Sequence, residues 1–149
     1  MNKQSQPSEQ FVDLLELDPS IRLDLKYYTG DNFVGVRING YEAERCFLSQ
    51  PAAVALVRVQ VELAAFGLGI KVFDAYRPQR AVDHFISWCS EQGDNPTQAR
   101  FFPNLDRAEL FSKGYLIRRS SHTRGSTVDL TLVDLKSGAE LEMGTEFDF

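Results

Sequence analysis

The densest group of polar residues in the chain spans residues 120–129 and reads Ser-Ser-His-Thr-Arg-Gly-Ser-Thr-Val-Asp. His122 stands in a predicted loop, and Asp129 follows seven residues later on a predicted strand. Gly125 allows the backbone to turn between them, so an imidazole nitrogen and a carboxylate oxygen can reach one point. Both are ligand types that zinc accepts. The alternative is a histidine that only forms hydrogen bonds within its loop.

A second polar group follows a predicted strand and reads Phe-Asp-Ala-Tyr-Arg-Pro over residues 73–78. Because Arg77 precedes a proline, its backbone is pushed into extended geometry. A guanidinium held there can pair with a substrate carboxylate or stabilise the charge of a tetrahedral intermediate. The alternative is a structural ion pair with Asp74 or Asp83.

The hydrophobic pattern predicts the elements that position these two groups. Helices are predicted from Ser49 to the glycines at 67 and 69, over 79–91 and over 106–113. Strands are predicted over 21–25, 70–73 and 128–133, turns at 27–32 and 39–40, and a hairpin that returns over 139–143. Because the helices come early and the clearest hairpin comes late, the order favours an α+β fold.

Two of these elements carry a predicted buried face. In the first long helix, valines at 54, 57 and 61 recur at helical spacing and are expected inside, with Gln60 outside. In the last strand, Val128, Leu130 and Leu132 alternate with Asp129, which places the aspartate on the face away from the core.

Length and composition indicate one globular domain over 11–149 behind a polar tail at 1–10, since the 149 residues are 43% hydrophobic and 25% charged. The net charge of −5 argues against nucleic acid as a partner. No apolar run approaches the ~18 residues of a membrane span, and no signal segment is evident, so a cytoplasmic location is expected. Cys46 and Cys89 are interpreted as reduced, mostly buried thiols.

Together the two polar groups resemble the paired signatures of zinc D-alanyl-D-alanine dipeptidases of the vancomycin-resistance type. These signatures are Asp-x-Tyr-Arg-Pro at 74–78 and Ser-Ser-His-x-Arg-Gly-Ser-x-x-Asp-Leu-Thr-Leu at 120–132. The resemblance covers nearly the whole chain from residue 11, through the blocks Lys26-Tyr27, Asp31-Asn32-Phe33, Arg80-Ala81-Val82, Lys113-Gly114-Tyr115, Met143-Gly144 and Phe147-Asp148-Phe149.

The resemblance implies an α+β fold with a small antiparallel sheet and flanking helices, of the hedgehog-like zinc D,D-peptidase type. It implies zinc as the cofactor and a small D,D-dipeptide, D-alanyl-D-alanine, as the substrate that is hydrolysed to D-alanine. This dipeptide is used in peptidoglycan precursors. The oligomeric state stays open.

The resemblance also implies roles for individual residues. It implies that His122 and Asp129 are zinc ligands and that Arg77 is the catalytic arginine that stabilises the transition state. The positions that surround the bound dipeptide are Tyr27, Ser120, Ser121 and Asp148. Of these, the carboxylate of Asp148 suits the free ammonium of the substrate.

One part of the family pattern is not found in this sequence. Family members continue to a Glu-x-x-His segment with the catalytic glutamate and the third zinc ligand, whereas no histidine follows His122 here. Because catalytic zinc usually takes three protein ligands and a water, a C-terminally truncated and inactive chain is expected. The possible substitutes are His84 on a predicted helix and Glu140, Glu142 and Glu146 after the hairpin.

Two other functions stay open beside the dipeptidase. The first is a non-catalytic fragment that binds metal or dipeptide weakly or needs a complementing chain. The second is a related zinc peptidase that acts on larger peptidoglycan peptides. The early blocks at Tyr27 and at 31–33 favour the dipeptidase.

Overall fold

A three-stranded mixed sheet with the order β2-β4-β5 forms the centre of the structure, a computed structural model that describes residues 10–91 and 93–149. The strands are β1 Phe11–Asp13, β2 Arg22–Leu23, β3 Phe47–Ser49, β4 Leu68–Asp74 and β5 Asp129–Asp134. β4 pairs antiparallel with β5 and parallel with β2, and β1 pairs antiparallel with β3. The α+β prediction is confirmed, but a wholly antiparallel sheet is wrong, because the long crossover between β2 and β4 returns the chain in parallel.

The helices are α1 Leu14–Leu17, α2 Lys26–Thr29, α3 Gln50–Ala64, α4 Gln79–Ser90, α5 Gln98–Phe101 and α6 Arg107–Ser112, with a 3₁₀ turn at Ser121–Arg124. The predictions of α3, α4 and α6 are confirmed. The turn predicted at 27–32 is instead the one-turn helix α2, which Gly30 ends at a φ of 87°. No helix in the described ranges is long and apolar enough to cross a membrane. The tail predicted at 1–10 lies, up to residue 9, outside the described residues.

Two hydrophobic clusters form the core. An aliphatic cluster packs α3 against the sheet through residues such as Leu56, Ile70 and Val72. An aromatic cluster packs α4 against α5 and the loops around it through residues such as Phe85 and Phe101. Because aromatic rings bury a large area each, a few of them fill this part of the core.

The buried face of α3 differs from the prediction. Ala53, Leu56 and Gln60 are buried on this face, whereas Val54 and Val61 are exposed. The Oε1 atom of Gln60 accepts the backbone N–H of Ile70 at 2.8 Å. An apolar side chain could not satisfy this buried N–H, so a polar residue takes the inward position.

The buried face of β5 also differs from the prediction. Thr131 and Val133 are buried on the side that Asp129 shares, while Leu130 is 40% exposed. Apolar residues occupy both faces of β5, so the alternation indicates a strand without indicating which side is covered. The return strand predicted over 139–143 is reduced to a single bridge between Val133 and Glu140.

The reversed face of α3 yields a stability prediction. We expect Gln60→Leu to lower the free energy of unfolding by about 1–3 kcal/mol, because it leaves the Ile70 N–H buried without an acceptor. The matched control Val61→Ala should stay within about 0.5 kcal/mol, because Val61 is exposed. Urea denaturation of both variants measures this, and a larger loss for Val61→Ala would contradict the assignment.

Candidate active site

The site begins at the C-terminal end of β4, where Asp74 is buried at 1% exposure. Its Oδ1 accepts the hydroxyl of Tyr41 at 2.7 Å, and its Oδ2 accepts Nε of Arg77 at 2.9 Å. The ion pair considered for Arg77 is therefore present. It leaves the outer nitrogens of the guanidinium available, and Nη2 lies 3.4 Å from Oδ2 of Asp129.

His122 lies in the 3₁₀ turn, which Gly125 ends at a φ of 85°. The backbone N–H of His122 donates to Oγ of Ser120 at 3.2 Å. Its ring Nδ1 lies 2.9 Å from the carbonyl oxygen of Ala75. Because a carbonyl can only accept, Nδ1 carries the proton and the neutral ring keeps a lone pair on Nε2. That Nε2 lies 3.4 Å from Oδ1 of Asp129.

Backbone contacts join the two polar groups. Asp74 and Asp129 are cross-strand partners in β4 and β5, after a register shift between Val72 and Asp74. Such irregularities bend a strand and redirect its side chains, here at the point where both aspartates are needed. The backbone N–H of Arg77 also donates to the carbonyl of His122 at 3.2 Å. The two signatures therefore form one structural unit.

Asp74, His122 and Asp129 each place one potential ligand atom within 4.8 Å of the others. Within the described residues, this is the one group of three such side chains. The two oxygens of Asp74 are already paired with Tyr41 and Arg77, whereas Nε2 of His122 and the carboxylate of Asp129 approach each other. An imidazole nitrogen and a carboxylate oxygen are suitable ligands for a divalent cation. Asp74, whose two oxygens are already hydrogen-bonded, lies next to them.

The protonation of this group reflects its burial. Burial raises the pKa of Asp74 to about 6, although Arg77 acts in the opposite direction. Burial works to lower the pKa of His122, but the hydrogen bond and the charge of Asp129, together with the hydrogen bond to the Ala75 carbonyl, outweigh it, so the pKa is raised. In the protonated ring Nε2 donates to Asp129. A metal ion at Nε2 would take the place of this proton, so metal binding and proton release are coupled.

A cavity of about 550 Å³ opens in front of the group. The predicted site residues on its wall are Tyr27, Arg77, His122, Asp129 and Asp148, and aromatic or aliphatic side chains such as Phe33, Phe101, Phe102 and Leu110 complete the lining. An apolar pocket with a few polar groups that point inward is the usual form of a small-molecule site.

Asp148 is held on this wall with one oxygen left free. Its Oδ1 accepts the hydroxyl of Tyr27 at 2.7 Å. Its Oδ2 is buried and has no hydrogen-bond partner among the described residues. Burial raises the pKa of Asp148 to about 7, although the Tyr27 hydroxyl and Arg77 act in the opposite direction. A buried carboxylate oxygen without a partner is costly unless a cation or donor reaches it.

The two predicted serines are placed differently. Ser120 is half-buried, and its Oγ lies 3.4 Å from Nη1 of Arg77 as well as bonding to the His122 backbone. Ser121 begins the 3₁₀ turn and is exposed, and neither serine lies on the cavity wall. Ser120 therefore reaches the site through Arg77 and the His122 backbone, and Ser121 lies beside it.

The residues considered as substitute ligands lie elsewhere. His84 accepts the Asn39 backbone N–H on its Nδ1 at 2.9 Å, in a separate cleft along α4. Glu140 pairs with Lys71 at 3.1 Å, and Glu146 pairs with a surface arginine. Glu142 accepts the Gly144 backbone N–H. In the described part of the chain, none of them reaches the cavity wall.

Sequence reasoning missed Asp74 and Tyr41 as parts of the site. The signal for Asp74 was present, since it begins the same signature that contains Arg77. No local pattern distinguishes Tyr41, which reaches Asp74 across 33 positions of sequence.

Comparison with known proteins identifies the family of this chain. The family model described as D-ala-D-ala dipeptidase matches residues 7–149. The chain belongs to the D-Ala-D-Ala dipeptidase family.

Among the relatives named D-alanyl-D-alanine dipeptidase are three that each align with 93% of this chain. The protein of Enterococcus faecalis is 45% identical over 139 residues, which span 69% of its own length. That of Streptomyces coelicolor is 46% identical over 138 residues, or 67% of its length. That of Escherichia coli is 32% identical over 139 residues, or 61% of its length.

The group formed by Asp74, His122 and Asp129 yields a second prediction. We expect His122→Ala and Asp129→Asn each to lower the zinc bound per chain strongly, because each removes one of two facing ligands. His84→Ala is the matched control and should bind as much zinc as the unchanged protein. Elemental analysis after dialysis against a fixed zinc concentration measures this. An equal zinc content in His122→Ala and His84→Ala would show that His122 is not a metal ligand.

Proposed function

We propose that this chain binds zinc through His122 and Asp129, binds D-alanyl-D-alanine in the adjoining cavity, and serves its hydrolysis to D-alanine. The observation that carries the proposal is the unpaired, buried Oδ2 of Asp148 on the same cavity wall as the metal group and Arg77. A small dipeptide with a free ammonium matches a cavity that has an anionic group at one point and a cationic group at another.

Zinc suits the donor set because imidazole nitrogen and carboxylate oxygen are among its common ligands. When bound, it supplies a water whose pKa is lowered to about 7 and polarises a carbonyl oxygen. His122 is prepared for this role, since the Ala75 carbonyl holds its proton on Nδ1. Asp129 is held in place by pairing across the sheet with Asp74.

Asp148 is the proposed partner of the substrate ammonium. Tyr27 holds one of its oxygens, so the free oxygen is oriented before substrate arrives. A charge-assisted hydrogen bond between ammonium and carboxylate is about twice as strong as a neutral one. This preference for a free N-terminus favours a dipeptide over the larger peptidoglycan peptides.

Arg77 is the proposed stabiliser of the negative charge that develops on the scissile carbonyl. Asp74 holds Nε, and Ser120 and Asp129 lie near the outer nitrogens, so the guanidinium is oriented by three neighbours. Its carbon also lies 5.1 Å from the centre of the Tyr27 ring, which favours the cation. A donor fixed in this way costs little reorganisation during the reaction.

The proposed reaction consumes a dipeptide of peptidoglycan precursors and so belongs to cell-wall metabolism. The cytoplasmic location and the hedgehog-like zinc peptidase type stay predictions. The alternative of a binding fragment without catalysis differs from the proposal in turnover and not in ligand. Slow turnover that requires zinc and His122 supports the proposal, and binding of the dipeptide with no turnover supports the fragment.

Catalytic turnover by the 149-residue chain should be slow. Among the residues that the structure describes, the acidic residues on the cavity wall are Asp129 and Asp148. Each already has a proposed ionic partner, so neither is free as the general base. Loss of general-base help costs roughly 10²–10⁴ in rate. We expect D-alanine release with added zinc to fall below that of the Enterococcus faecalis relative by at least this factor.

The test compares D-alanine release by the purified chain with zinc, without zinc and in His122→Ala. Turnover at about 1–10³ s⁻¹ that disappears in His122→Ala would contradict the expected slow rate. It would mean that residues of this chain complete the catalytic site.

Binding of the dipeptide should depend on pH through Asp148. Burial raises its pKa to about 7, so the carboxylate is half ionised at that pH, and ammonium binding weakens as the pH falls through it. Above about 8 the dipeptide ammonium loses its own proton, so affinity should peak between these limits. We expect binding at pH 6 to be about 5–10-fold weaker than at pH 7.5.

Calorimetric titration at the two pH values measures this, with Asp148→Asn as the control. The control should bind more weakly at pH 7.5 and show a much smaller change between the two values. If the unchanged protein binds the dipeptide equally well at both pH values, Asp148 does not bind the substrate ammonium.

A further inference from the structure

The segment that carries Asp148 is anchored mainly at its two ends. Residues 141–146 are all exposed. At the first end, Glu140 bridges to Val133 and the Leu141 backbone N–H donates to the carbonyl of Leu132 at 2.9 Å. At the other end, the Phe147 ring lies 5.0 Å from that of Phe73 and 5.6 Å from that of Tyr27. An exposed stretch of this kind loses backbone order easily unless side chains hold it.

One pair of side chains fixes this stretch directly. Arg100 donates from Nε to Oε1 of Glu146 at 2.6 Å and from Nη2 to Oε2 at 3.0 Å. This two-bond geometry restricts the orientation of both groups, which a single contact cannot do. Glu146 lies two positions before Asp148 in the chain, so its place limits where Asp148 can lie.

The arginine belongs to a larger charged network. Its Nη1 also donates to Oδ1 of Asp31, and Oδ2 of Asp31 accepts Nζ of Lys26 at 2.7 Å. Isolated surface pairs contribute little, but networks and two-bond arginine pairs contribute more. The network thus connects Glu146 to α2, which contains Tyr27, the residue that bonds to Asp148.

Arg100 itself is placed on a fixed platform. It lies in α5, and its guanidinium carbon is 4.5 Å from the centre of the Phe101 ring. Phe101 is buried in the aromatic cluster and also lines the cavity. Helix α5 therefore contributes Phe101 to the cavity wall, and its neighbouring residue Arg100 holds the segment that contains Asp148.

We propose that Arg100 and Glu146 are positioning residues that hold Asp148 against Tyr27 and so set the affinity for a substrate with a free ammonium. This inference rests on the proposed function, because it assigns the pair to the ammonium subsite. Neither residue touches the substrate, and both act through the position of Asp148.

The test is a double-mutant cycle in which D-alanyl-D-alanine binding is measured by NMR titration of the zinc-supplemented chain. We expect Glu146→Gln and Arg100→Gln each to weaken binding about 3–10-fold, and the double variant to be no weaker than either, because they act as one unit. In an Asp148→Asn background, Glu146→Gln should change binding less than about twofold.

The exposed pair of Arg80 and Glu42, 3.4 Å apart in the separate cleft along α4, supplies the matched control. Glu42→Gln should leave dipeptide binding unchanged. A loss from Glu146→Gln that persists in the Asp148→Asn background would overturn the inference, since a general structural role predicts that result. No loss from either single variant would overturn it as well.

Hydrogen exchange separates failure of the inference from failure of the proposed function. In Glu146→Gln and Arg100→Gln, amides of residues 145–149 should exchange several-fold faster without ligand, while those of β4 stay unchanged. Unchanged exchange at 145–149 overturns the positioning role whatever the ligand. If the unchanged protein shows no dipeptide binding, the proposed function falls, and the exchange result alone decides whether the pair holds the segment.

Discussion

The site depends on a carboxylate that is buried at the end of the central strand. Asp74 is almost completely removed from water, and an ionised group there is tolerated only when charged and hydrogen-bonding partners surround it. Arg77 and Tyr41 supply those partners. Because the pairing fixes the guanidinium at Nε, it also determines where the outer nitrogens of Arg77 lie. The positive charge of Arg77 at the cavity is thus positioned by Asp74, a buried residue of the core.

Negatively charged side chains outnumber positively charged ones around the cavity. Asp74, Asp129 and Asp148 bring three carboxylates near one guanidinium, that of Arg77. The raised pKa values of Asp74, about 6, and Asp148, about 7, follow from burial of these groups. A divalent metal at His122 and Asp129 and a substrate ammonium at Asp148 would both relieve the excess of negative charge. The proposed ligands are the cations that this arrangement lacks.

The fold could be predicted where local interactions decide it. The α4 pattern places Phe85 inside, and Asp106 caps α6 together with Glu109, so neither helix depends on distant residues for its limits. The faces of α3 and β5 could not be predicted in this way. Gln60 is inward because a backbone N–H of β4 needs an acceptor, and Leu130 is outward because apolar residues occupy both faces of its strand.

For the site, the sequence alone indicated His122, Asp129 and Arg77 as candidates, because they lie in two segments that resemble the signatures of the family. The proline after Arg77 also favours extended backbone at that position. Tertiary structure alone decided the rest. The Tyr27 hydroxyl meets Asp148 across 121 positions of sequence, and Tyr41 meets Asp74 across 33. Such contacts form only when the strands and the aromatic cluster have packed, because local backbone preferences extend over a few residues and carry no information about distant partners.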